Sequence, residues 1–204
     1  MDELTQLEIA LRSERHAALI CDDSPTPVRT VIDNASGRLV FPVGSYAFEA
    51  EQTVLWVPEE RNDAMQVLVT LEEIDGSICE SADRWRIYHG DVTEPRWAQA
   101  EIIAVRFGPI VADGDEIDLS NPIAADEPGL CKRYNADRES LGRLAHAFDP
   151  RSSGPGTLVG VDALGIDIRT AYDIIRVPFG ERQSTGEGAG RHIDRLIEAL
   201  TSGA

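Results

Sequence analysis

Positive charge is scarce in this chain: 19 Lys and Arg residues stand against 36 Asp and Glu, a formal net charge of -17 over 204 residues. No lysine- or arginine-rich run interrupts that field, so it repels nucleic acid and anionic membrane surfaces, which argues against phosphate-backbone binding. Long apolar runs are missing too. None approaches the roughly 20 residues that a membrane span needs, and Met1-Asp2-Glu3-Leu4 has no basic segment leading into an apolar stretch. The reading is a cytoplasmic protein without a membrane partner. Cysteine is sparse: Cys21, Cys79 and Cys131 are too few and too far apart for a disulfide framework or a paired-cysteine zinc site, and read as buried or incidental thiols.

Chemical motifs are equally thin. No Gly-x-Ser-x-Gly elbow occurs, and no serine or cysteine is tied by motif to a histidine and an acid, so hydrolase chemistry has no support. His16, His89, His146 and His192 include no two at metal-ligand spacing. The acidic run Asp113, Gly114, Asp115, Glu116, Asp118 puts glycine second and Ile117 at a ligand position of an EF-hand loop, so it reads as a solvated turn. Gly186-Glu187-Gly188-Ala189-Gly190 lacks the register of a dinucleotide-binding loop and reads as a flexible entry to the last helix.

What is present is a series of short aliphatic segments. Residues 2 to 15 carry Leu4, Leu7, Ile9 and Leu11 among charges, a short helix ending before His16. Ala17–Cys21, Pro27–Ile32, Arg38–Pro42, Thr53–Val57 and Gln66–Ile74 then read as strands, separated by turn chemistry such as Asp22-Asp23-Ser24-Pro25 and Asn34-Ala35-Ser36-Gly37. Arg84–His89 and Ala98–Phe107 read as two more, the last stopped by Gly108-Pro109. This spacing suggests a barrel or sandwich over residues 1–112. Residues 113–128 are acidic and contain proline, and read as a connection to a second domain over 129–204.

That second part starts as an amphipathic helix at Asn135, where Asn135 or Asp137 can cap and Leu141, Leu144, Ala145 and Phe148 recur at helical spacing. Beyond the break at Ser152-Ser153-Gly154-Pro155-Gly156, three strands (158–162, 166–170 and 174–179) form a meander. A final helix over about residues 191–200 presents Ile193, Leu196, Ile197 and Leu200 on one face.

The run Asn135-Ala136-Asp137, followed by Val159-Gly160-Val161-Asp162-Ala163-Leu164-Gly165-Ile166-Asp167-Ile168-Arg169 and then Arg176-Val177-Pro178-Phe179, resembles the C-terminal domain of the haem-utilisation and pyridoxamine 5'-phosphate oxidase-like FMN-binding split-barrel family. The resemblance covers roughly residues 130 to 200; over the preceding strands it is one of pattern. It implies an α+β fold, an antiparallel split β-barrel followed by a small domain of helix, three-stranded meander and helix. It also implies a homodimer with a ligand groove between two barrels, FMN as cofactor, and flavin-dependent oxidoreductase chemistry. Two departures matter. Arg138 stands where the family usually has histidine after Asn-Ala-Asp, so the reading disfavours haem and leaves His146 and His192 as weak axial candidates. Pro58-Glu59-Glu60-Arg61-Asn62-Asp63 replaces a hydroxyl-His-Asn segment, with Asn62 alone surviving.

An FMN phosphate needs cationic or hydroxyl groups converging on it. The candidates are Arg29, Thr30, Arg38, Ser45 with Tyr46, Arg61 and Asn62. Glu49, Glu51, Glu59 and Glu60 crowd the same stretch, and simple surface pairing of arginine with glutamate is the competing account. Trp56, Trp85 and Trp97 lie on or beside expected strands, where they suit either a flavin cover or core packing. The alternative to a flavoprotein is a barrel that has lost its flavin and acts as a non-catalytic binding or interaction module.

Overall fold

In the computed structural model, which describes residues 2–22 and 24–202, the chain opens with α1 (Glu3–Ser13), capped by the Asp2 carboxylate accepting from Thr5 N at 2.9 Å. The chain divides into two compact units, Met1–Ser120 and Asn121–Ala204. The fold is α+β: a strongly curled antiparallel half-barrel sheet in the first unit, and a three-stranded antiparallel sheet with helices in the second.

In the first unit β1 (His16–Cys21), β2 (Ser24–Arg29), β3 (Val31–Ile32), β4 (Leu39–Val43), β5 (Thr53–Val57), β6 (Met65–Ile74) and β7 (Arg96–Phe107) lie in the order β2-β1-β5-β6-β7-β4-β3. β8 (Ile110–Asp113) pairs with β7 alone, after a turn in which Gly108 takes φ 58°. β2 and β3 end this order on opposite sides, yet only Thr30 separates them in sequence. Laid flat at about 4.8 Å per strand, they would be roughly 29 Å apart. One residue cannot span that, so the sheet must curl until its two ends meet, while β2 and β3 share no ladder. Thr30 is the corner: its N–H donates to Arg15 O at 2.9 Å, extending the β1–β2 register by one pair before the chain turns into β3. The two prolines of β2, Pro25 and Pro27, are tolerated because β2 is an edge strand. Leu19, Phe41, Leu55 and Val67 are fully buried inside the curl, with Leu7 and Leu11 of α1 in the same cluster.

The stretch expected as a strand over Arg84–His89 is instead the second half of α2 (Glu80–His89). Its buried residues Ala82, Trp85 and Tyr88 recur every three positions, which is one face of a helix, while Ile87 is 54% exposed where a strand would have buried it. Glu80 and Asp83 in the first turn and Arg86 in the last complement the helix dipole. The acidic run after β8 closes as a 3-10 turn, Gly114–Glu116, held by a reciprocal capping box between Asp113 and Glu116.

The second unit comprises α3 (Glu127–Tyr134), α4 (Arg138–Phe148), β9 (Thr157–Asp162), β10 (Gly165–Arg169), β11 (Ile174–Pro178) and α5 (Gly186–Ser202). Sequence periodicity gave no sign of α3, and the helix expected from Asn135 starts later, with Asp137 as its cap accepting from Ser140 N at 3.0 Å. Asn135 has another task. Its amide Nδ2 donates to Leu158 O at 2.9 Å while its Oδ1 accepts from Leu158 N at 2.7 Å, imitating a neighbouring strand. Three positions on, Glu127 Oε1 accepts from Val161 N at 2.9 Å and Asn121 Nδ2 donates to Val161 O at 2.9 Å. A register shift between Asp167 and Ile168 leaves Val159 as an extra residue in β9, which explains why the outward-facing backbone groups belong to 158 and 161. Side chains thus occupy the free edge of β9, where an open ladder would invite another strand. The glycine-rich segment Gly186 to Gly190 is the first turn of α5 and not a loose entry to it.

Candidate ligand site

At the end of the curled sheet where β5 finishes and β6 begins, the wall of the half-barrel opens into a pocket of about 310 Å³. Ala10 of α1, Val57, Pro58, Ala64, Met65 and Phe107 give it apolar walls, and Ser13, Glu14, Arg61 and Asp63 add polar groups. β5 ends at Val57, and the connection that carries Arg61 begins at Pro58, after a cis Val57-Pro58 peptide. Arg61 reaches Glu59 Oε1 and Asp63 Oδ1, each at 3.4 Å, so its charge is spent on its own loop. A pocket of this size and lining suits the apolar body of a small molecule with a polar end at the solvent side.

The residues proposed from sequence for a phosphate are scattered. Arg38 donates to Glu72 Oε2 at 3.3 Å and Glu101 Oε2 at 3.0 Å. Glu72 and Met65, the residue that follows the Arg61 connection, lie some seven positions apart on β6, roughly 23 Å at strand rise. Arg38 and Arg61 therefore cannot hold one phosphate. Arg29 is exposed at the end of β2, and Thr30 is buried at the corner with its backbone engaged on both sides. Ser45 is exposed at the start of a 3-10 turn (Ser45–Phe48), whose Tyr46 hydroxyl donates to Thr26 Oγ1 at 2.8 Å. Asn62 is exposed beside Arg61. Only Arg61 lines the pocket. The other pocket residues come from the ends of α1, β5, β6 and β7, a convergence with no sequence signal except the break at Pro58.

The tryptophans fall into two groups. Trp85 and Trp97 are buried and meet edge to face at 5.4 Å, with Trp85 Nε1 donating to Arg29 O at 2.6 Å, so they are packing residues. Trp56 is half-buried on β5. His89, at the end of α2 and not on a strand, lies 4.9 Å from the Trp85 ring and donates from Nε2 to Thr30 O at 3.1 Å. Burial pushes its pKa down to about 4, with the charges of Arg29, Arg15 and His16 adding to the effect and the Thr30 hydrogen bond opposing it. It is neutral at physiological pH. In the second unit His146 is exposed and donates from Nδ1 to Ser152 O at 2.8 Å, and His192 packs on the Phe179 ring at 4.8 Å. Arg138, standing where histidine was expected by resemblance, donates to Gly156 O at 3.3 Å and Thr157 Oγ1 at 2.7 Å, latching α4 to the start of β9.

No family model and no curated protein matches the sequence. Two solved structures are similar in fold. A protein of unknown function from Agrobacterium tumefaciens str. C58 superposes with TM-score 0.73 at 18% identity over 97% of each chain. A heme binding protein from Mycobacterium smegmatis gives TM-score 0.45 at 14% identity, covering 99% of this chain and 98% of that one. At these identities the likeness concerns fold alone. The cofactor expectation, which named FMN and disfavoured haem, is corrected to this extent: FMN has no support among the comparisons, and one of the similar structures is a heme binding protein. Among the described residues no helix is long and apolar enough to cross a membrane.

Proposed function

We propose that this chain is a ligand-binding split-barrel protein without catalytic machinery, holding a small amphipathic molecule in the pocket between α1, the end of β5 and the start of β6. The observation that carries this reading is the pocket of about 310 Å³, with apolar side chains from four elements and Ser13, Glu14, Arg61 and Asp63 among its polar residues. Self-paired Arg61 weakens the site for a bare anion and leaves shape and apolar contact as its means of selection. Haem, the ligand of the Mycobacterium smegmatis protein, belongs in the first titration as the second probe.

The test is titration of the purified chain with the fluorescent amphipathic probe anilinonaphthalene sulfonate and, separately, with haem followed by its Soret band. The wild type should bind at least one of them saturably with one site per chain, and Ala10→Phe, which fills the pocket from α1, should abolish that binding. Silence toward both, or binding unchanged in Ala10→Phe, would overturn the assignment. We further propose that the barrel pairs with a second copy along β8, an edge strand where Val111 is 69% exposed, with Ile103 of the adjoining β7 44% exposed. A monomeric mass in solution at micromolar concentration would refute that pairing.

A further inference from the structure

The barrel pocket draws its polar residues from two segments, Ser13 and Glu14 at the end of α1, and Arg61 and Asp63 in the connection after β5. What each can offer a ligand depends on where its hydrogens already go. The Ser13 hydroxyl donates to Ile9 O at 2.7 Å, so its proton is spent within α1. Glu14 and Asp63 carry carboxylates, which accept. Pro58 has no N–H, and that of Ala64 is taken by Arg61 O at 3.1 Å. Among the described lining residues Arg61 alone brings side-chain N–H groups, and two carboxylates draw on them: Glu59 at Nη1 and Asp63 at Nε, each at 3.4 Å. The polar side of the pocket is therefore rich in acceptors and short of donors.

Charge points the same way. The connection from Pro58 to Ala64 sets Glu59, Glu60 and Asp63 against Arg61, Glu14 adds a fourth carboxylate, and the chain as a whole stands at -17. Glu14 and Asp63 are exposed, so solvent and salt weaken their pull without changing its sign. A carboxylate or sulfonate head placed among them is repelled and finds only the shared Arg61 to bond, so a molecule that carries one has to turn it to solvent. A protonated amine gains both the acceptors and the charge. It also gains Phe107, an aromatic wall of the kind whose face attracts ammonium groups. Ala10, Val57, Ala64 and Met65 require an apolar body behind that amine.

We infer, on the reading that this pocket holds a small amphipathic molecule, that the molecule is an amphipathic amine, its apolar body against Ala10, Met65 and Phe107 and its ammonium group beside Glu14 and Asp63. Two exposed carboxylates set a modest preference, about fivefold over an acid of the same shape.

The experiment is an amide chemical-shift titration of the full chain at neutral pH with two probes that share an apolar body and differ in head, naphthylmethylamine and naphthylacetate. Both should give saturable shifts at Ala64, Met65 and Phe107 that Ala10→Phe abolishes, with the amine about fivefold tighter at low salt. The gap should close to about twofold or less in the double variant Glu14→Gln, Asp63→Asn, and likewise in the wild type at about 0.5 M salt. The same amide spectra report whether each variant is folded. Equal affinities, tighter binding of naphthylacetate, or a gap that the double variant leaves unchanged would overturn the inference and leave the pocket standing. Shifts that Ala10→Phe does not affect, or none with either probe, would remove the pocket and the inference with it.

Discussion

Acidification should weaken the barrel unit through His89. In the folded chain its pKa is pushed down to about 4, first by burial at the end of α2 and then by Arg29, Arg15 and His16; unfolded, it returns to the ordinary 6.5. Between these values the unfolded chain holds the extra proton, so stability rises with pH there and falls as pH drops. The contribution is complete above pH 6.5. It shrinks by about 2 kcal/mol at pH 5 and about 3 kcal/mol at pH 4, a large share of the 5–15 kcal/mol that typically holds a domain. At the end of a helix a positive imidazole would ordinarily be favoured; here desolvation outweighs the dipole.

The measurement is urea unfolding followed by tryptophan fluorescence, which reports the first unit alone because Trp56, Trp85 and Trp97 all lie within it. From pH 7 to pH 5 the wild-type midpoint should fall by about 1 M urea more than that of His89→Gln, which cannot take the proton. Carboxylate titration acts on both proteins and cancels in the comparison. Equal losses in the two proteins would show that His89 is not held neutral by burial, and the reasoning would fail.

Two glycines should respond to alanine with opposite signs. Gly129→Ala in α3 meets no atom within 4 Å and should stabilise the second unit by about 0.5–1 kcal/mol through helix propensity. Gly142→Ala in α4 gains the same propensity, but its Cβ would lie 2.1 Å from Gly154 O, and the backbone shift should leave a net loss of about 1–2 kcal/mol. Thermal melts of both variants by circular dichroism decide it, and two changes of the same sign would refute the packing argument. Asn135→Ala strips both partners from the backbone of Leu158, which is 1% exposed, and should cost about 2 kcal/mol with faster amide exchange at Leu158; unchanged exchange would show that the edge of β9 is not held by that side chain.

Local pattern was enough for α1 and for the strand spans of β1, β5 and β6, where the spacing of buried residues repeats with the period of the element, and for the three-stranded meander, whose β9 and β10 are short, near-continuously buried aliphatic runs bounded by turn residues. It failed at Arg84–His89, where Trp85 and Ile87 alternate with Arg84 and Arg86 and so fit period two as well as Trp85 and Tyr88 fit one face of α2. It failed again at α3 and at the glycine-rich start of α5. There helix formation depends on tertiary partners: Tyr134 OH bonds Gly190 O at 2.7 Å, and Asp126 Oδ2 takes Gly186 N at 3.1 Å.

The sequence by itself determined the charge field, the lack of hydrolase and nucleotide motifs, and the α+β order of strands followed by a helix, meander and helix, since these rest on composition and local periodicity. Tertiary structure alone decided that Arg38 and Arg61 lie at opposite ends of β6, that Trp85 and Trp97 are spent on each other, and that Glu14 and Asp63 line one pocket. Each of these is a relation between residues far apart in the chain, fixed by the curl of a sheet or the approach of a turn. No property of the individual residues encodes it.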